Sequence, residues 1–509
     1  MTRTLMHPTP GLGCPGHGGG GRRPSAEALA RLSGHDDPGM FGRMFPDLPP
    51  LEVAEDKLRA LAETMVAADA VDPALDNRHI PAGYTYFGQF VDHDITLDLA
   101  SLNQRRRDPL GVTNFRTPAL DLDNVYGLGP EGSPQLYARL AGNPRVRGER
   151  LLLGHNMRIH YGSVPGHFRN DLPRSAEGMA LIGDPRNDEN LLVAQTHLAF
   201  LKFHNRVCDQ LEADGVPREA RFEQARQLVT WHYQWLVLHD WMEKLCGDGA
   251  TARILADGRQ FYRFRETPYM PVEFSAAAYR LGHSMVRQTY HLNRLYSPID
   301  FPEIFRFSGL SGAIVGNLAP DDMDGGDLVR SLPSALIIDW RRFYEVDQSP
   351  GLATNLSRRI DARLAPELHE LPGGGGNLAL RNLQRGVQLG LPSGQDVATA
   401  MGISNPLTAA EIATGPDGDE ARRQGLDAAT PLWYYILKEA EVRENGERLG
   451  PVGATIVSEV LVGLVHGDRQ SYLWLDGPDW QPSLPSAVPG AFTMADLIRY
   501  VDDINPIGD

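Results

Sequence analysis

Cysteine is scarce: Cys14, Cys208 and Cys246 are the only three in 509 residues, and none belongs to a CxxC pair. Three cannot all pair within one chain, so a disulfide framework is not what holds this fold together. Long apolar runs are missing too. The first thirty residues lack the apolar stretch of a signal peptide. No segment approaches the roughly 20 apolar residues that a membrane-spanning helix requires. Positive charge is in deficit, with 49 Lys and Arg against 65 Asp and Glu and a net charge of −16. Phosphate binding needs clustered basic side chains, so a nucleic-acid partner is not expected. These absences predict a soluble protein, cytoplasmic or exported without a recognisable signal peptide. The hydrophobic fraction, 42%, is enough for a large core.

Residues 1–45 are rich in Gly, Pro and Arg, including the run GHGGGGRRP. Such a segment loses much backbone entropy on ordering and is expected to be a flexible arm. Residues 46–509 carry no strong linker and are expected to form one large domain, mainly α, with few short strands and long loops. Helical periodicity is found at 51–67, 84–94, 188–213, 217–245, 271–289 and 376–389. A short β signal occurs at 151–161. The tail from about Asp468 reads as an amphipathic segment packing on the core.

Three segments carry chemistry. In Gly88-Gln89-Phe90-Val91-Asp92-His93-Asp94, Gln89, Asp92 and His93 stand at i, i+3 and i+4 and share a helix face. Asp94 is turned about 100° from His93 and addresses a second site. The apolar, aromatic lead-in YTYFGQFV favours burial, where a solvated helix end is the alternative. In Thr117-Pro118-Ala119-Leu120-Asp121-Leu122-Asp123, alternating oxygen side chains suit a hard cation such as Ca²⁺; an Asp-capped turn is the commoner meaning of such a loop. In Asp184-Pro185-Arg186-Asn187-Asp188-Glu189, Asp184 can cap a helix start and Pro185 suits its first turn. Arg186 and Glu189 are i, i+3 neighbours, as in an ordinary surface ion pair.

A fourth segment, Arg280-Leu281-Gly282-His283, lies in an apolar pattern. A lone His there is usually a core histidine, but Gly282 beside it would let a flat cofactor approach the backbone. About a hundred residues later comes Arg381-Asn382-Leu383-Gln384-Arg385. Asn382 can accept the proton of a histidine's second ring nitrogen, and Arg385, one turn on, can reach an anionic group.

In order along the chain, GQFVDHD, TPALDLDNVYG, DPRNDEN, HLAFLKFHNR, RLGH and RNLQRG resemble the animal haem peroxidase superfamily, the myeloperoxidase and peroxidasin group, in a shorter bacterial-type form. The resemblance spans roughly residues 80–400. It implies haem b, with His93 as distal acid/base, Gln89 its neighbour and Arg186 the distal arginine. It makes His283 the iron ligand, Asn382 its hydrogen-bond partner, and Arg280 and Arg385 the groups that hold the propionates. Asp92 and Glu189 match carboxylates that are ester-linked to haem in mammalian members. Asp94, Thr117, Asp121 and Asp123 match Ca²⁺ ligands, with Ala119 giving a backbone carbonyl.

The implied activity is reduction of hydrogen peroxide and oxidation of a small donor (halide, thiocyanate or phenol) through a ferryl intermediate, as in a response to oxidative stress. Departures narrow it. Asn190 stands where the chlorinating member has a haem-linked methionine, which counts against chloride. Asp123 replaces a usual serine, the disulfide cysteines of secreted members are absent, and VQLGLP follows RNLQRG where animal members are more charged. The alternatives are a fatty-acid dioxygenase or cyclooxygenase-like enzyme, for which Tyr279 sits one residue too early, and an inactive haem-binding scaffold.

Overall fold

The structure is a computed structural model that describes residues 41–68, 72–96, 118–140, 143–157, 168–265, 267–312, 314, 331–347, 351–371 and 376–509. Residues 1–40 of the expected arm, and Thr117, lie outside the described residues. Packing begins ahead of residue 46: Phe41, Met44 and Phe45 are buried, and Phe41–Gly42 pairs in parallel with Met270–Pro271.

The architecture is mainly helical, as expected. Strands among the described residues are limited to two-stranded pairs: the one just given, Asp76–Pro81 with Leu356–Arg358, Tyr137–Leu140 with Asn143–Leu151, and Thr289–Tyr290 with Ile299–Asp300. The principal helices are α1 (Glu55–Thr64), α2 (Gly83–Ile95), α3 (Leu191–Ala213), α4 (Arg218–Trp235), α5 (Leu378–Gln388), α6 (Leu432–Glu444), α7 (Pro451–Gly467) and α8 (Met494–Val501). Among the described residues no helix is long and apolar enough to cross a membrane.

Local chemistry sets several of these boundaries. Asn190 caps α3, its Oδ1 accepting from the amides of Leu192 and Val193 at 3.1 and 3.0 Å. Pro451 opens α7 at the first helical position, where its missing N–H is not needed. Thr493 and Asp496 form a reciprocal capping box at α8. The expected 217–245 helix is interrupted by a π-helical turn, Leu236–Trp241.

The expected helix over 271–289 does not form. Val272–Ser275 makes one turn, and Ala278–His283 is a 3₁₀ segment. In a continuous α-helix the Ser275 carbonyl would accept from the amide of residue 279. Here it accepts from Arg280 Nε at 2.8 Å, and Ala277 takes a non-helical φ of −132°. The expected strand at 151–161 also ends early, at Leu151, and continues as bridges to Asp171 and Pro333; residues 158–161 lie outside the described residues.

The core that positions everything else is aromatic. Phe90 of α2 stacks on Phe200 of α3 at 4.7 Å, and Tyr233 of α4 meets both edge-on at 6.1 and 5.6 Å. Phe203, on the same helix as Phe200, takes Phe492 and Tyr500 from the C-terminal segment, which packs on the core as its amphipathic pattern predicts.

A second fixing point is ionic. The side chain of Arg174 is buried and forks onto Asp188 at 2.6 and 3.0 Å and onto Asp171 at 2.9 and 3.0 Å. Asp171 also receives the amide of Leu332, and Asp188 that of Gly309. Three chain segments are thereby tied to the turn that carries Arg186 and Glu189. Burial raises Asp188, and Arg174 acts against that shift. Removing one partner leaves buried charge without compensation. Arg174→Met is therefore expected to cost about 3–5 kcal/mol, read as a lower midpoint of urea unfolding; an unchanged midpoint would show that this hub does not hold the turn.

Candidate functional site

One cavity of about 480 Å³ gathers residues from Phe41 to Arg385. Its volume is that of a small-molecule site. Gln89, Asp92 and His93 enter from α2, Arg186 and Glu189 from the turn before α3, and Arg280, Gly282 and His283 from the 3₁₀ segment. Arg381 and Arg385 enter from α5. Apart from Asn382, which touches His283 from behind, every residue expected at a haem pocket borders this cavity.

His93 is held in one orientation. Its Nδ1 lies 2.8 Å from Asn187 Oδ1, and Asn187 Nδ2 lies 2.9 Å from His197 Nδ1. An amide oxygen only accepts, so His93 carries its proton on Nδ1 and turns an unprotonated Nε2 to the cavity. Burial, reinforced by the charge of Arg186, lowers its pKa to about 4. It is neutral near pH 7 and free to accept a proton.

Arg186 does not pair with Glu189 as an i, i+3 surface pair would. Its Nε and Nη2 grip Asp184, with Nη2 at 2.7 Å, and Nη2 also reaches the carbonyls of His93 and Thr96 at 3.0 and 2.5 Å. It thus ties off the C-terminal end of α2. Nη1 has no hydrogen bond among the described residues and remains for the cavity. Glu189 accepts from Gln89 Nε2 and lies 3.9 Å from His93 Nε2. Burial pushes Glu189 up to about 7. Burial would also raise Asp92, but Arg280, 3.6 Å away, and the neighbouring cations outweigh it and hold Asp92 below its ordinary value.

Across the cavity, burial and then the Arg280 charge lower His283 to about 3, so its imidazole is neutral. The Asn382 amide lies 2.8 Å from His283 Nδ1, with Nδ2 facing the ring. In that orientation Asn382 donates; turned by 180°, its Oδ1 accepts from Nδ1 and frees the Nε2 lone pair for a metal. Among the described residues, a Cβ built on Gly282 meets nothing within 4 Å, so the backbone beside His283 borders open space there.

These features fit a flat, largely apolar cofactor with anionic edges. Phe41, Trp241, Phe301 and Phe305 supply apolar wall, and three arginines (Arg280, Arg381, Arg385) supply counter-charge. A neutral imidazole with an available nitrogen suits iron.

The carboxylates of Asp94, Asp121 and Asp123 lie within 4.8 Å of one another beside α2. Asp94 Oδ2 accepts from the amide of Leu122, a non-glycine residue held at φ +57°. Ala119 is buried next to this loop. Gly183 packs directly on the loop: a Cβ there would lie 2.5 Å from the carbonyl oxygens of Asp123 and Asn124. The loop and the Arg186 turn are in backbone contact only because residue 183 has no side chain.

Sequence reasoning missed Asn187, His197, Arg381 and Trp241. Asn187, His197 and Arg381 lay inside segments already singled out, but without a role. No local signal marks Trp241, which reaches the site only through packing.

Residues 99–479 match the family model for animal haem peroxidase. Helix α2 precedes the matched residues, so the His93 side of the site stands on its geometry. The peroxidasin homolog pxn-2 of Caenorhabditis elegans is 25% identical over 376 residues, 70% of this chain and 26% of that protein. Mouse thyroid peroxidase is 25% identical over 391 residues, 73% of this chain and 39% of that protein. The chain thus spans about a quarter to two-fifths of the length of these curated relatives. Peroxidase A from Dictyostelium discoideum superposes with TM-score 0.60 at 16% identity, covering 94% of this chain and 95% of that one. A fatty acid alpha-dioxygenase from Oryza sativa superposes with TM-score 0.56 at 14% identity, covering 93% and 80%.

Because a side chain at 282 meets only open space, Gly282→Leu should leave the unfolding midpoint of the haem-free protein unchanged. Haem titration followed by absorbance should show markedly weakened uptake. Undiminished uptake would mean that the cofactor does not occupy this space.

Proposed function

The chain belongs to the animal haem peroxidase family, and from that premise we propose that it is a haem peroxidase that reduces hydrogen peroxide and oxidises a small donor at the 480 Å³ cavity. The observation that carries this reading is the disposition of His93: a neutral imidazole, its tautomer set by Asn187, with a basic nitrogen facing the same cavity as His283. The fold alone does not choose the chemistry, since dioxygenases share it.

His283 would hold the iron of haem b through Nε2, with Asn382 accepting from Nδ1. Arg280 and Arg385 would hold the propionates, joined by Arg381. When bound, haem supplies the redox chemistry that stores the oxidising equivalents. The rest is done by side chains. His93 Nε2 takes a proton from one peroxide oxygen and returns it to the other, which leaves as water. Nδ1 takes no part, because Asn187 commits it. Arg186 Nη1 stabilises the negative charge that develops as the O–O bond breaks, and needs no reorganisation because its other nitrogens are already fixed. Gln89 holds Glu189 in place beside His93. A halide, thiocyanate or small phenol is the proposed donor, and Asn190 at the position after Glu189 counts against chloride.

His93→Ala is expected to abolish the rapid shift of the haem absorption band on adding peroxide while haem stays bound, and His283→Ala to lose or loosen haem. A wild-type rate in His93→Ala would overturn the distal assignment.

Asp94, Asp121 and Asp123, with Thr117 and the Ala119 carbonyl, are the proposed ligands of one Ca²⁺, and Asp92 and Glu189 the proposed points of ester linkage. Crowded carboxylates gain from a hard cation between them. Its role is positional, since Asp94 lies next to His93 on α2. Adding Ca²⁺ to chelated protein should raise its unfolding temperature, and Asp123→Asn should blunt the gain; no shift in the parent would remove the site. Acid–acetone treatment after peroxide exposure should leave haem on the protein, and clean extraction would exclude the ester bonds.

A further inference from the structure

The aromatic rings that border α2 form a file leading out of the cavity. Trp241, which lines the cavity, lies parallel to Tyr84, with centroids 5.9 Å apart and planes 4° from parallel. Tyr84 meets Tyr344 edge-on at 5.1 Å, and Tyr344 lies 5.9 Å from Trp340. Two glycines of α2 make this packing possible. A Cβ on Gly88 would lie 2.7 Å from the Trp241 ring, and one on Gly83 would lie 2.4 Å from Tyr344. The file comes within one side chain of solvent at Lys244, which is 31% exposed and whose Nζ sits 5.0 Å above the Tyr84 ring.

Tyr84, stacked on Trp241, has a base at its hydroxyl. Its hydroxyl donates to the buried Asp240 Oδ2 at 2.6 Å, in the range of a short charge-assisted bond. Lys244 Nζ lies 3.0 Å from the other oxygen, and the Met494 amide donates to Oδ2 at 2.8 Å. Tyr86 also lines the cavity, but its hydroxyl donates to the hydroxyl of Tyr290 at 2.8 Å. Among the described residues, the Tyr344 hydroxyl has no hydrogen-bond partner. A phenol that loses an electron becomes a strong acid, so its oxidation is easy only where a positioned acceptor takes the proton. Electron tunnelling falls steeply with distance, so rings in contact exchange electrons readily.

We propose that Trp241 and Tyr84 relay oxidising equivalents from the cavity to a site beneath Lys244, where one-electron aromatic donors too large to enter the cavity are oxidised. The relay rests on the peroxidase reading above. Reduction of one hydrogen peroxide to two waters consumes two electrons and two protons. Each electron leaves Tyr84 by way of Trp241, and the phenol proton moves to Asp240. A phenol or aromatic amine at the surface then returns one electron to the tyrosyl radical, and Asp240 returns the proton. The donor gives up one electron and one proton, so two donors balance each peroxide.

The test uses the full haem-loaded chain, mixed with one equivalent of hydrogen peroxide without donor and frozen for electron paramagnetic resonance. The wild type is expected to give a tyrosyl signal that narrows when tyrosine is ring-deuterated, a readout that needs no variant. Tyr84→Phe keeps the stacked ring and its volume, and should lose that signal while its haem band shifts with peroxide at the wild-type rate. It should also lose oxidation of a phenol immobilised on beads, yet keep that of the free phenol. A signal of unchanged line shape and yield in Tyr84→Phe overturns the relay, as does a wild type whose band shifts without any protein radical. A wild type whose band does not shift at all refutes the peroxidase reading first, and the relay with it.

Discussion

The hydrogen bond between His93 and Asn187 is the contact on which the site depends. It joins two helical segments more than ninety positions apart and fixes both the ring orientation and the tautomer of the imidazole, while burial keeps the ring neutral. Buried histidines are neutral by default, because desolvation penalises the cation. Neutrality alone does not say which nitrogen is basic. The Asn187 oxygen decides that, and Asn187 is itself oriented by donating to His197. Everything else on this side of the cavity is built to hold that bond in register. The Phe90, Phe200 and Tyr233 rings lock α2 against α3 and α4, and Arg174 pins the turn that carries Asn187.

Helix α2 divides labour by angle. One face gives Gln89, Asp92 and His93 to the cavity; a neighbouring face gives Asp94 to the acidic loop; Gly83 and Gly88 leave room for the packing of large rings. Helical periodicity makes the first two faces readable directly from spacing, since i, i+3 and i+4 coincide and i+5 does not. The capping role of Asp184 was equally legible, because an Asp-Pro step before a helix start has few other uses, and its side chain does accept from the Arg186 amide at 2.8 Å.

What the sequence left dark are contacts that helical or strand spacing does not report. Arg174 grips Asp171 three positions back and Asp188 fourteen on, Asn187 meets His197 ten positions on, and Trp241 reaches Tyr84 from far along the chain. Local propensity also misled where tertiary bonds competed with helical ones. The 271–289 segment has an apolar helical period, yet Arg280 takes the Ser275 carbonyl and Trp433 Nε1 donates to the Arg280 carbonyl at 3.3 Å, so the chain tightens into a 3₁₀ turn. The ion pair expected between Arg186 and Glu189 gave way to Asp184 for a related reason. A guanidinium with five donors goes where several acceptors converge.

That convergence at Arg186 carries an evolutionary consequence. The same side chain ties off a helix end with Nη2, braces itself on Asp184 with Nη2 and Nε, and leaves Nη1 toward the cavity. A lysine would preserve the charge but has one nitrogen on a flexible stem, unable to span the Asp184 carboxylate and two backbone carbonyls while still pointing inward. Substitution there would fray the end of α2 at His93, the residue proposed to move the proton. Position 186 is thus closed to the most conservative exchange of its charge class, and a sequence that carried lysine there would have to rebuild the helix end before it could keep the chemistry.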